Sequence, residues 1–261
     1  MLFFIGYRFI DSIFLRQLEP FATVGTVDKT SDVVKQKDII HSGIVEYRNK
    51  GKQLMLKAKN AEEFIAQQRA AIASNPECGN SHYNLAVALM GQQKYEEAEK
   101  AAQDAVECSP GMAEAYVLLG GICLRRNDLE GCLKYNKMAV KAKPGFSEGF
   151  GNIGFIELQR GNVDEAIKNL EKATRFNFRY VQAFTNLGNA YLIKGRVDDS
   201  IEANLKAIKL HADFAPAHNN LAIAYLEKEE YELAVQHCDK AVALGYDMAP
   251  EILKEIDAHR K

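Results

Sequence analysis

Residues 185–191 read TNLGNAY, and looser copies of the same heptad begin at residues 83, 117, 151 and 219, each 34 residues after the last. A fixed period of this size decides the architecture before any single motif does. A unit so short cannot bury an apolar face alone, so successive units must stack on one another. Five full copies follow from the spacing, over residues 79–112, 113–146, 147–180, 181–214 and 215–248. Positions below are counted from the first residue of each copy.

Aligned in this way, the copies show a packing code. Position 7 is aliphatic throughout (Leu85, Leu119, Ile153, Leu187, Leu221) and position 8 is alanine or glycine (Ala86, Gly120, Gly154, Gly188, Ala222). Position 20 is small, and position 27 is alanine in every copy: Ala105, Ala139, Ala173, Ala207 and Ala241. Small residues at 8, 20 and 27 let two helices of one copy, and the first helix of the next, approach closely. Bulky residues at 7 and 11 are expected to fill the space between them, and enlarging one of the alanines is expected to cost about 1–3 kcal/mol.

Turn chemistry agrees. Gly161, Gly195 and Asn127 fall at position 15, where the first helix must stop. Asp128, Asp164 and Asp198 sit at or near the start of the second helix, where a carboxylate favours exposed amides. Pro110 and Pro144 end the second helix at position 32, and Lys137, Lys141, Lys143, Arg175, Lys206 and Lys209 crowd its last turns as a solvated, dipole-complementing face.

The pattern resembles the tetratricopeptide repeat family. The resemblance covers the five copies and half a copy upstream. Phe178, Ala212 and Tyr246 depart from the closing proline, and His82 and His218 from the first large aromatic. It implies an all-α fold, a right-handed superhelical solenoid of helix-turn-helix repeats with a concave groove. Flanking segments are expected as an amphipathic N-terminal helix (1–19), a linker (20–45), an atypical capping repeat (46–78) and a C-terminal solvating helix (249–261).

Composition narrows the function. A chain that is 47% hydrophobic has ample material for a core. Its 33 basic and 35 acidic side chains leave a formal charge of −2, without the excess that drives nucleic-acid binding. Five cysteines without paired spacing point to a reducing, cytoplasmic setting, and Cys108, Cys123, Cys132 and Cys238 fall where core residues are expected. The opening 20 residues are apolar but broken by Arg8, Asp11 and Arg16, too short and too charged for a spanning helix. On a helix they leave Phe4, Phe9, Ile10, Ile13 and Phe14 on one face, to be buried on this chain, on a partner or second copy, or on a membrane surface.

No catalytic or cofactor site is legible. Gly149, Gly151 and Gly154 spell a dinucleotide fingerprint, but inside a helix that is in phase with non-glycine copies. Gly149 and Gly151 are not required by the repeat. They mark either a soft repeat or the close approach of a ligand backbone. Cys78 and His82 have helical ligand spacing, yet no second pair completes a metal site. The expectation is a chain that is not an enzyme and holds neither cofactor nor metal.

In tetratricopeptide geometry positions 2, 5, 6, 9, 12 and 13 face the groove. Position 6 is asparagine in Asn84, Asn152, Asn186 and Asn220, with Leu118 the exception, and Asn189 adds an amide at position 9. A ladder of amides can hold the backbone of an extended peptide; alternatively each asparagine satisfies a neighbouring helix. Tyr83, Val117, Phe155, Leu192 and Ile223 form an apolar surround suited to an amphipathic segment. Position 5 carries no lysine, so a clamp for a C-terminal carboxylate is not expected. The implied function is a non-catalytic scaffold or adaptor for a protein or peptide partner; the alternative is a membrane-recruited assembly factor anchored by residues 1–19.

Overall fold

The computed structural model describes residues 61–260; the expected N-terminal helix, the linker and the first half of the capping repeat lie outside the described residues. Twelve helices follow in order: α1 (Ala61–Ser74), α2 (Gly79–Gly91), α3 (Tyr95–Cys108), α4 (Ala113–Arg125), α5 (Leu129–Ala142), α6 (Ser147–Gln159), α7 (Val163–Phe176), α8 (Val181–Ile193), α9 (Val197–Leu210), α10 (Ala215–Glu227), α11 (Tyr231–Ala243) and α12 (Pro250–Asp257). No strand occurs among the described residues. The first and second helices of each copy pack on each other, and each second helix packs on the first helix of the next copy. Successive first helices α4, α6, α8 and α10 also touch. The result is an all-α, right-handed superhelical solenoid whose inner face is built from the first helices.

The close approach at position 8 has a specific partner. A Cβ added to Gly154 would lie 2.5 Å from Leu170 Cγ, one added to Gly120 would lie 2.5 Å from Asn136 Nδ2, and one on Gly188 would strike the Asn204 amide. Leu170, Asn136 and Asn204 all occupy position 24 and are fully buried. Where position 24 is smaller, as in Ala102 and Cys238, position 8 is alanine (Ala86, Ala222). Glycine therefore appears where the facing side chain is large.

Position 15 stops every first helix with a left-handed residue. Gly161 and Gly195 do so at little cost, while Gln93, Asn127 and Glu229 adopt φ of 62°, 59° and 60°. The following amide then reaches back to close the helix end, as in Arg196 N to Tyr191 O at 2.8 Å and Glu230 N to Tyr225 O at 2.9 Å. Asp128 caps α5 by accepting from Gly131 N at 2.8 Å. Asp164 and Asp198 do not cap. Each lies at the second residue of its helix and pairs with a cation at position 14 of the next copy, Lys194 and Lys228, both at 2.9 Å. Arg160 and Glu130 repeat the pattern at 3.0 Å. These exposed pairs each contribute at most about 1 kcal/mol.

Three expectations need correction. Position 11 is not uniformly bulky, because it includes Cys123, and its Glu157 is only 5% exposed with its carboxylate accepting from Asn162 Nδ2 at 2.7 Å. Cys108 is half-buried rather than core. Gly149 and Gly151 have a packing reason. A Cβ there would meet Val140 Cγ1 at 2.6 Å and the Tyr180 ring at 2.8 Å.

The pairing of positions 8 and 24 yields a test. Gly154→Ala should cost about 1–3 kcal/mol by overpacking, and Leu170→Ala about 2–5 kcal/mol by cavity formation. The double variant recreates the residues Ala86 and Ala102 of the first copy. Its cost, read from urea unfolding, should fall short of the sum by at least about 1 kcal/mol.

Candidate functional site

The expected inner face takes one row from each first helix. Position 12 is apolar in every copy, as Met90, Leu124, Leu158, Leu192 and Leu226, and the last three are buried. Phe155 and Ile223, at position 9, are buried beside them, and Tyr83 is half-buried against the first core cluster. Val117 and Leu118 are fully enclosed. Val117 packs with Phe146 and Ala139, and Leu118 with Leu119, Ile122 and Ala102. Both belong to the core between copies.

The asparagines divide into two sets. Asn152 Nδ2 donates to Asn136 Oδ1 at 2.9 Å, Asn220 Nδ2 to Asn204 Oδ1 at 3.2 Å, and Asn84 Nδ2 to Gln68 Oε1 at 3.5 Å. The acceptor in each case lies 16 residues earlier, at position 24 of the preceding unit. Asn136 and Asn204 use their own Nδ2 groups on the carbonyls of Cys132 (2.8 Å) and Ser200 (2.9 Å), so their buried amides are satisfied on both sides. Asn220 additionally donates to Thr185 O at 3.2 Å, tying α10 to the backbone of α8. In these copies the amide joins neighbouring repeats.

Asn186 is different. The residue 16 earlier is Leu170, which offers no acceptor, and the Asn186 side chain makes no hydrogen bond among the described residues. Three residues on along the same helical face, Asn189 is 5% exposed and its Oδ1 has no hydrogen-bond partner. Elsewhere a polar position 24 precedes Asn, and Ala102 precedes Leu118. This 16-residue correlation is visible in the sequence and was the signal available for separating structural from unassigned amides.

Several titratable groups of the array are shifted by burial. Burial pushes the Cys123 thiol up to about 11 and the Cys132 thiol to about 12, so neither supplies a thiolate nucleophile at neutral pH. Among the described residues no group of three or more His, Cys, Asp or Glu side chains is placed to hold a metal ion. His82 Nε2 instead meets the carbonyl of Pro76 at 2.8 Å. His218 does the equivalent with Ala212 O at 2.9 Å, and its Nδ1 lies 2.9 Å from His237 Nδ1. A carbonyl can only accept, so the hydrogen of neutral His218 is on Nε2 and its Nδ1 accepts from His237 Nδ1–H. Burial, with His218 adding to it, pulls His237 down to about 4.

With this geometry in place, comparison with known proteins is direct. Tetratricopeptide repeat models match residues 65–113 and 88–145 and, from a second such family, 215–244, while a TPR repeat model matches 154–192 and 188–229. The chain belongs to the tetratricopeptide repeat family. Tetratricopeptide solenoids of known structure superpose on it. YrrB, described as a TPR protein with an unusual peptide-binding site, is 21% identical over 73% of this chain and 96% of its own, with a TM-score of 0.58. PilF of Pseudomonas aeruginosa is 17% identical over 85% and 100%, with a TM-score of 0.69. MamA of Desulfovibrio magneticus RS-1 is 19% identical over 64% and 94%, with a TM-score of 0.55. At these identities the likeness is one of fold. No curated protein matches the chain. Among the described residues no helix is long and apolar enough to cross a membrane.

Two predictions follow from the polar groups of this tetratricopeptide array. Asn152→Ala strands the buried Asn136 Oδ1 and should cost about 1–3 kcal/mol in urea unfolding, whereas Asn186→Ala should stay within about 0.5 kcal/mol. Equal losses would refute the division of the amides. Because folded His237 has a depressed pKa, the unfolded chain binds the extra proton. The stability it confers is complete above about pH 6.5 and lost as pH falls from there toward about 4. Replacing His237 with asparagine, the residue at the same position in the third copy, should flatten thermal midpoints across that window.

Proposed function

We propose that this chain is a non-catalytic scaffold whose inner face receives an extended or amphipathic peptide segment of a partner protein. The observation that carries this reading is the pair Asn186 and Asn189. Asn186 breaks the pairing rule that the other position-6 asparagines obey, and Asn189 buries an acceptor without a partner. An unmet acceptor in a low-dielectric setting is costly, so a site that keeps one is suited to a ligand donor. The peptide backbone supplies such a donor at every residue, and the flanking apolar row of Leu158, Leu192 and Leu226 suits its apolar side chains. The amide ladder thus contracts to one helix, α8, with Phe155 and Ile223 on the copies either side.

A second role, recruitment to a membrane or self-association through residues 1–19, is favoured by the apolar face of Phe4, Phe9, Ile10, Ile13 and Phe14. It concerns a different part of the chain.

The test selects peptides on the full chain from a random display library and measures their affinity for variants. Asn186→Ala with Asn189→Ala should weaken selected peptides about tenfold or more, while leaving thermal unfolding unchanged. Peptides that bind this variant as tightly as the parent would assign binding elsewhere.

A further inference from the structure

The turn joining α7 to α8 carries side chains that folding does not account for. Phe178 is 75% exposed and Phe176 49% exposed, in the run Arg175–Tyr180 that reads RFNFRY. Position 32, which Phe178 occupies, is Pro110 and Pro144 in the two preceding copies. The turn does not need the phenyl group. It is closed by Asn177, whose Oδ1 accepts from Arg179 N at 3.0 Å and whose carbonyl accepts from Tyr180 N at 3.1 Å. Phe176 is fixed in place by stacking on Phe150, with ring centroids 5.7 Å apart, and the Arg175 guanidinium lies 5.4 Å from the centre of the Phe176 ring.

Cations flank this apolar tip along the chain and along the array. Arg175 and Arg179 flank it, and Lys141 and Lys209 occupy the position of Arg175 in the copies before and after. All four are exposed, and none forms an ion pair among the described residues. Glu171, one turn before Arg175, accepts from Tyr191 Oη at 3.0 Å, and Asp213, at the position of Arg179 in the next copy, accepts from Lys240 Nζ at 2.7 Å. Complementing the helix dipole explains a cation in the last turn of α7, but not two exposed phenylalanines beside it.

We propose that this edge of the solenoid contacts an anionic lipid surface, with Phe178 and Phe176 entering the boundary between headgroups and acyl chains while Arg175, Arg179, Lys141 and Lys209 meet lipid phosphates. An apolar tip flanked by cations, with further cations at the equivalent position of the neighbouring repeats, matches a fluid, negatively charged surface without needing a shaped counterpart. The chain as a whole is slightly acidic, so the attraction is local to this edge. This surface is built from residues other than those named for the inner face.

The chain contains no tryptophan, so Phe178→Trp in the full-length protein places one reporter at the exposed tip. With vesicles of phosphatidylcholine containing phosphatidylglycerol, its emission should shift to the blue and be quenched by brominated acyl chains. Pure phosphatidylcholine vesicles should leave it unchanged. Adding Arg175→Gln and Arg179→Gln should lower partitioning roughly thirtyfold, the factor for two surface cations. Unshifted emission in the presence of anionic vesicles overturns the proposal, whether or not the protein floats with them, since flotation alone would report residues 1–19. A shift given by polyglutamate but not by vesicles also overturns it, and assigns the edge to an acidic protein.

Discussion

Everything in this molecule depends on how closely the first helix of a repeat can approach the second. The contact is made at position 8, where the missing side chain of Gly154 accepts Leu170 and those of Gly120 and Gly188 accept Asn136 and Asn204. Because interiors are packed to crystal-like density, this fit leaves little slack to be taken up elsewhere. Once it is made, the second helix presents its position-24 side chain to the next copy. The same residue therefore sets the spacing within one repeat and supplies the polar or apolar partner for the repeat that follows.

This double role explains which parts of the structure were legible from the sequence. Local rules write directly into residue type: alanine at position 27, glycine or asparagine at position 15, and aliphatic residues at position 7 can be read from an alignment of the chain with itself. The helical pairing followed from such positions. Contacts between position 24 of one copy and position 6 of the next cross a repeat boundary. Aligning copies in a column hides them, because each column shows one position at a time. Asn152 and Asn220 thus looked like members of one ladder with Asn186, although their donors are engaged between repeats. Gly149 was obscure for the same reason, since Val140, which crowds it, belongs to the preceding copy, whereas Gly151 meets Tyr180 at the last position of its own copy.

The inner face is accordingly a mixture. Its apolar row was readable because position 12 is apolar in every copy, but the burial of Val117 and Leu118 depends on the turn residue Phe146 and on Ala102 of the preceding copy, which no position-by-position reading combines. What distinguishes α8 is a failure of complementarity, an amide placed opposite a leucine. In an array where each other position-6 asparagine has its neighbour, that mismatch is the informative feature.

The left-handed residues at position 15 have a consequence for the array as a unit. In the third and fourth copies the helix stop falls on glycine, in the second on asparagine, and in the first and fifth on Gln93 and Glu229, whose side chains disfavour that conformation. A linear array gains stability from neighbours on both sides, and its outer members have the fewest. Backbone strain of this kind therefore lies in the first and fifth copies, outside the three central ones. In the copy that carries Asn186 and Asn189 the stop falls on Gly195, so that copy holds its turn without this backbone cost.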